Sequence, residues 1–93
     1  MSASEDREIR RKRLSFRAWH RGTKEMDLIL GRFADAHLAG FDDAELDAFE
    51  RVSALPDIEL YKWLTEREPV PAAQDSPMFR RVKATCALNA EKL

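Results

Sequence analysis

Few residues in this chain have the types and spacing to do chemistry. Two histidines, His20 and His37, and one cysteine, Cys86, are its only imidazoles and thiol. There is no Gly-x-Gly-x-x-Gly, no P-loop, no cysteine pair and no His-x-x-x-His. The usual sequence routes to nucleotide, cofactor and metal binding are therefore absent. His37 lies four residues after Phe33 on an apolar stripe and reads as a partly buried imidazole. Cys86 reads as plain core, because nothing near it in sequence would lower a thiol pKa. Asp42, Asp43, Glu45, Asp47 and Glu50 read as the solvated face of one helix, with no pair marked for acid–base work. The expectation is a protein that is not an enzyme, with no metal site and no tightly bound cofactor.

Two charged segments remain. Arg10-Arg11-Lys12-Arg13 could grip phosphates, but Glu5, Asp6 and Glu8 beside it blunt that grip, and a solvated helix flank is the plainer reading. The second segment is Arg21-Gly22-Thr23-Lys24-Glu25. A glycine there permits positive φ and lets another backbone approach, while Arg21 and Glu25 bracket it as hydrogen-bonding arms of opposite charge. The same residues have a purely structural reading. If Gly22 is an N-cap, Glu25 is the third helical residue and its carboxylate can return to the Gly22 amide. The two readings separate on mutation. As docking arms, Arg21, Gly22 and Glu25 are all expected to be replaceable with loss of binding and little change in melting.

The elements that position these residues read as helices throughout. Charged residues make up 35% of the chain, with three glycines and four prolines, which favours helix over sheet. A first helix is expected over Glu5 to His20, with apolar residues at Ile9, Leu14, Phe16 and Trp19 only loosely periodic. After Gly22, with Thr23 or Gly22 as cap, Met26, Ile29, Leu30, Phe33 and His37 form the clearest amphipathic stripe. Gly40 occupies a position suited to a left-handed helix end. Asp42 with Glu45 predicts a capping box for a third helix running to about Ala54, with Leu46, Phe49 and Val52 inward. Pro56 is placed in the first turn of a fourth helix, about 56 to 67, burying Leu60, Tyr61 and Leu64. Residues 68 to 75 read as a loop. Ser76 then caps a fifth helix with Phe79, Val82, Cys86 and Asn89 on one face. The expected fold is all-α: a compact five-helix bundle in a single domain over residues 1–93, with residues 1–5 mobile.

The net charge of -1 conceals segregation: residues 1–25 sum to +4, residues 26–76 to -8 and residues 77–93 to +3. Such a dipolar chain suggests electrostatic steering toward a protein partner, since nucleic-acid binders usually keep a positive balance. A single cysteine, with no signal-peptide pattern and no apolar run near the roughly 20 residues of a membrane span, predicts a cytoplasmic protein that does not enter the bilayer.

The stretch Trp19-His20-Arg21-Gly22-Thr23-Lys24-Glu25-Met26-Asp27-Leu28-Ile29-Leu30, then Phe33, then Leu55-Pro56-Asp57-Ile58-Glu59-Leu60-Tyr61-Lys62-Trp63-Leu64, resembles the SdhE family of FAD assembly factors of succinate dehydrogenase. That family's signature is Arg-Gly-x-x-Glu before an apolar helix, with a Pro-Asp-x-x-Leu/Tyr-x-Trp-Leu segment as a second hallmark. The resemblance covers about residues 10 to 90, with His20 and Met26 standing where many members have Arg and Leu. It implies a five-helix protein that binds the flavoprotein subunit of succinate dehydrogenase, or of fumarate reductase, and promotes covalent attachment of FAD to a histidine of that subunit. It also implies a partner contact at Arg21, Gly22 and Glu25, flanked by Arg17 and Lys24, in a cytoplasmic bacterial monomer. The rival reading is a nucleic-acid-binding or toxin-antitoxin-type regulatory module using the basic first helix.

Overall fold

The chain folds as five α-helices in a computed structural model that describes the backbone of residues 3–90 and the side chains of residues 6–86. They are α1 (Ala3–Trp19), α2 (Lys24–His37), α3 (Asp43–Ser53), α4 (Asp57–Leu64) and α5 (Pro77–Ala90), with 3-10 turns at Leu38–Gly40 and Ala72–Gln74. The described residues include no strand. The mobility expected of residues 1–5, and the inward side chain expected of Asn89, fall outside the described side chains.

Local chemistry accounts for most helix starts. Thr23 is the N-cap of α2, its hydroxyl accepting the Met26 amide at 3.3 Å. Asp42 caps α3 in a closed capping box: its carboxylate accepts the Glu45 amide at 2.8 Å, and Glu45 accepts the Asp42 amide at 3.1 Å. Ser76 caps α5, as expected, by accepting the Phe79 amide at 3.1 Å, and Pro77 takes the first helical position.

Three boundary expectations are corrected. Pro56 is the N-cap of α4, with extended ψ, rather than its first helical residue, so Asp57 opens the helix. Gly40 is not left-handed; it ends a 3-10 turn closed by the Phe41 amide donating to the Leu38 carbonyl. The left-handed helix end belongs instead to Glu66, at φ 61°, which stops α4 three residues short of the expected end. There the Arg67 amide donates to the Lys62 carbonyl and the Glu66 amide to the Trp63 carbonyl, the two bonds of a Schellman stop.

One apolar cluster joins all five helices, from Leu14 and Ala18 of α1 to Phe79, Val82 and Cys86 of α5, with Phe33 and Phe49 stacked at 5.5 Å in its middle. The α2 stripe is inward as read. His37 is half-buried between the rings of Phe33 and Phe41, at 4.5 and 6.2 Å. In α1 the apolar reading fails at two positions, since Ile9 and Phe16 are 54% and 63% exposed. The half-buried side of that half-helix is instead Arg7, Arg10 and Arg11. Arg7 pairs with Asp43 at 2.9 Å, Arg10 with Asp47 at 2.6 Å and Glu50 at 3.3 Å, and Arg11 donates to the Phe41 carbonyl at 2.6 Å. Asp42, Asp43 and Asp47 of the α3 face read as solvated are exposed, as expected, but Asp43, Asp47 and Glu50 also pair with α1, and Arg81 of α5 adds a pair with Glu45 at 3.2 Å.

Candidate functional site

Arg21, Gly22 and Thr23 lie in the connection between α1 and α2, and Lys24 and Glu25 open α2; the geometry separates residues that the sequence treats alike. Arg21 turns inward, its side chain only 12% exposed. Its Nε and one terminal nitrogen donate to a single carboxylate oxygen of Asp57, at 2.9 and 2.5 Å. The guanidinium also donates to the carbonyls of Ser53 and Leu55 and to the Ser53 hydroxyl at 3.1 Å. Arg21 thus places positive charge on the carbonyls where α3 ends and on the acid that opens α4, both electrostatically favourable. Its backbone amide donates to the Asp27 carboxylate, so the connection is tied to α2 as well. Ser53, the sole buried polar residue among the described ones, is buried to serve this cluster.

Gly22 follows at φ 107°, a conformation open to glycine and strained for any other residue. A Cβ built there meets nothing within 4 Å, so the glycine answers to backbone conformation and leaves bare space outside it. With Thr23 as cap, Glu25 is the second helical residue, not the third, and the Gly22 capping-box reading is overturned. Arg17, Gly22, Thr23, Lys24 and Glu25 are all exposed, and Glu25 has no hydrogen-bond or ion-pair partner among the described residues. His20, also exposed, stacks on Phe16 at 4.0 Å, and its Nδ1 lies 2.6 Å from the Phe16 carbonyl. The five residues nominated from sequence therefore divide into an internal clamp, Arg21, and an outward set beside it.

Sequence reasoning missed the partners of that clamp. Asp57 entered only as part of a hallmark segment, and Ser53 not at all. The available signal was that Arg21 and Asp57 sit in the two separate hallmark segments, which the fold brings into contact. The outer wall of the site continues across this join. Glu25 and Met26 on α2 face Asp57, Ile58, Tyr61, Lys62 and Arg67 across an open groove of about 450 Å³.

No other cluster competes chemically. Among the described residues no group of three or more His, Cys, Asp or Glu is placed to hold a metal ion. Burial pushes the Cys86 thiol pKa up, the direction opposite to a reactive thiolate. No helix among the described residues is long and apolar enough to cross a membrane.

A family model described as "Flavinator of succinate dehydrogenase" matches residues 12–86. The chain belongs to this family. It is 41% identical over 80 residues to the FAD assembly factor SdhE of Acetobacter pasteurianus, covering 86% of this chain and 73% of that protein. It is 45% identical over 69 residues to the mitochondrial succinate dehydrogenase assembly factor 2 of Mycosarcoma maydis, covering 74% of this chain and 29% of the relative. The Arabidopsis thaliana protein of the same name is 33% identical over 81 residues, 86% of this chain and 43% of its own length. The chain thus spans most of the bacterial relative but less than half of these two mitochondrial ones. No solved structure matches it significantly. The matched span contains the whole of the Arg21 clamp and the outward loop it holds.

Proposed function

We propose that this chain binds the flavoprotein subunit of succinate dehydrogenase, or of the related fumarate reductase, as a monomer in the bacterial cytoplasm and promotes covalent attachment of FAD to it. The chain itself catalyses nothing in this reading, and FAD is the partner's cofactor. One observation carries the proposal: in a member of the flavinator family, exposed Gly22 and Thr23 and the first residues of α2, Lys24 and Glu25, follow an inward-turned arginine that ties this turn to the end of α3 and the start of α4. A preformed loop loses little conformational entropy on docking. Gly22 lets a partner backbone come close, and Glu25, Lys24 and Arg17 supply charged contacts around it.

Promotion then needs no catalytic group. If the flavoprotein forms the flavin linkage itself, a binder that favours its linkage-competent conformation raises the population of that state, by no more than its differential affinity for the two states. The nucleic-acid reading loses its main support, because Arg7, Arg10 and Arg11 are occupied with α3 and the Phe41 carbonyl.

Co-expression with the flavoprotein subunit tests the proposal, with covalent flavin read by in-gel fluorescence after denaturation. Glu25→Ala is expected to fold with nearly unchanged melting, because its carboxylate has no ion-pair partner among the described residues and loses only the weak attraction of a first-turn acid to the helix dipole, and to leave the flavoprotein short of covalent FAD. Full flavinylation with both Glu25→Ala and a folded Gly22→Arg would overturn the assignment.

A further inference from the structure

We infer that the flavoprotein-binding surface extends from the Gly22–Glu25 loop across the groove to α4, where Ile58 is a specificity-determining anchor. The groove's occupant is a segment of the flavoprotein carrying an apolar side chain between a basic and an acidic residue. The inference rests on the docking function proposed above and deepens it.

Ile58 has no folding role that explains it. It is 71% exposed, the most exposed of the large apolar side chains described. Leu60 and Leu64 supply the core face of this short helix, while Ile58, Tyr61 and Lys62, at i, i+3 and i+4, line the groove. A β-branched residue in an exposed first turn contributes poorly to helix stability. With Met26 and Tyr61 it forms a contiguous apolar lining rimmed by charged residues, and an apolar patch of that kind marks a contact surface.

The groove's rim is polarised. Asp57 is consumed by Arg21 and Lys62 pairs with Glu68 at 3.4 Å. Two charges on the rim are left without ion-pair partners among the described residues: Glu25 on the α2 side and Arg67 on the α4 side. Arg67 is also held in place. Its guanidinium lies over the Tyr61 ring at 5.4 Å, and its backbone follows the left-handed Glu66. A non-glycine residue in that conformation is strained, and such strain tends to collect at functional sites. The complement of this rim is a cation opposite Glu25, an apolar side chain on Ile58 and a carboxylate opposite Arg67.

The test measures affinity for the purified flavoprotein subunit, melting temperature and covalent flavin yield for Ile58→Ala, Ile58→Glu, Arg67→Glu and Glu25→Ala. Ile58→Ala and Ile58→Glu are expected to melt as the parent does, and Ile58→Glu to weaken binding by about tenfold or more, as losing a central anchor does. Arg67→Glu is expected to weaken binding with a reduced salt dependence. Normal affinity for both Ile58 variants, with binding lost in Glu25→Ala, overturns the extension and leaves the loop assignment standing. Normal affinity for all four overturns both. Loss of affinity matched by loss of melting temperature in the Ile58 variants also overturns the inference, since Ile58 would then be a folding residue.

Discussion

At the residue scale, Arg21 shows how a side chain turned inward can matter to the proposed binding surface beside it. Its five donors are spent on Asp57, two carbonyls and a hydroxyl inside the chain. Arg21→Ala leaves the Asp57 carboxylate and the α3 terminus without their cation, at an expected cost of about 2–4 kcal/mol in denaturant unfolding. Arg21→Lys should recover only part of it, because a single ammonium cannot span acid, hydroxyl and carbonyls in one plane. Equal stability of the alanine variant and the parent would remove the clamp from the account. Gly22→Ala is expected to cost about 1 kcal/mol through φ alone, since the space outside is open. Loss of flavinylation in a glycine variant therefore mixes strain with blocked docking, which makes Glu25→Ala the cleaner probe. From sequence these residues formed one group. Distinguishing clamp from arms required knowing that residues 21 and 57 meet, and a separation of 36 positions carries no local signal of that.

At the element scale, α1 is held by two different devices. Near its C-terminal end Trp19 packs on Gly31 of α2, and its indole nitrogen donates to Asp35 at 3.1 Å. A Cβ at Gly31 would overlap three ring carbons of Trp19, the farthest at 2.6 Å. Gly31→Ala improves helix propensity by about 1 kcal/mol, yet overpacking against a rigid ring costs about 1–3 kcal/mol. A net loss of stability is expected, smaller in a Trp19→Leu background; a gain in stability would contradict the close approach. Toward its N-terminal half the device is ionic. Hydrogen bonds from Arg7 hold the Asp43 carboxyl below the usual carboxylate range, and Arg80 does the same for Asp75. A depressed folded pKa means the unfolded chain binds more protons in that window. The stability is therefore present above the unfolded carboxylate value, near about 4, and is lost as pH falls through the folded one. Melting temperature should fall on acidification below about pH 4, and less steeply in Asp43→Asn. The cap of α3 was readable from the three-residue spacing of Asp42 and Glu45, and that of α5 from Ser76 standing directly before Pro77. The inward arginines of α1 were not, because an apolar-periodicity reading has no place for a half-buried ionic seam. Nor was the early end of α4, because glutamate is not an expected left-handed stop.

At the scale of the whole molecule, the segregated charges of the chain largely close on themselves. The basic first segment lies on the acidic third helix, and α5 contributes Arg81 to the same seam. The dipole visible in the sequence is thus partly an instruction for folding, and only the charges left outside it can act at a distance. Arg13, Arg17 and Lys24 are exposed, Arg17 in the last turn of α1 and Lys24 in the first turn of α2 on either side of Gly22, and none has an ion pair among the described residues. Exposed charges near a docking site raise encounter rates and are screened over about 8–10 Å at physiological salt. Reversing all three is expected to slow association with the flavoprotein by about tenfold at low ionic strength. The difference should shrink toward unity in high salt, with melting temperature unchanged. Reversing Arg10 is expected to do something else: it sets like charges against Asp47 and Glu50 and should lower the melting temperature, most at low salt. Stopped-flow association rates across a salt series, beside thermal unfolding of both variants, separate steering from folding. An unchanged low-salt rate for the triple reversal would leave the external charges without a role in encounter.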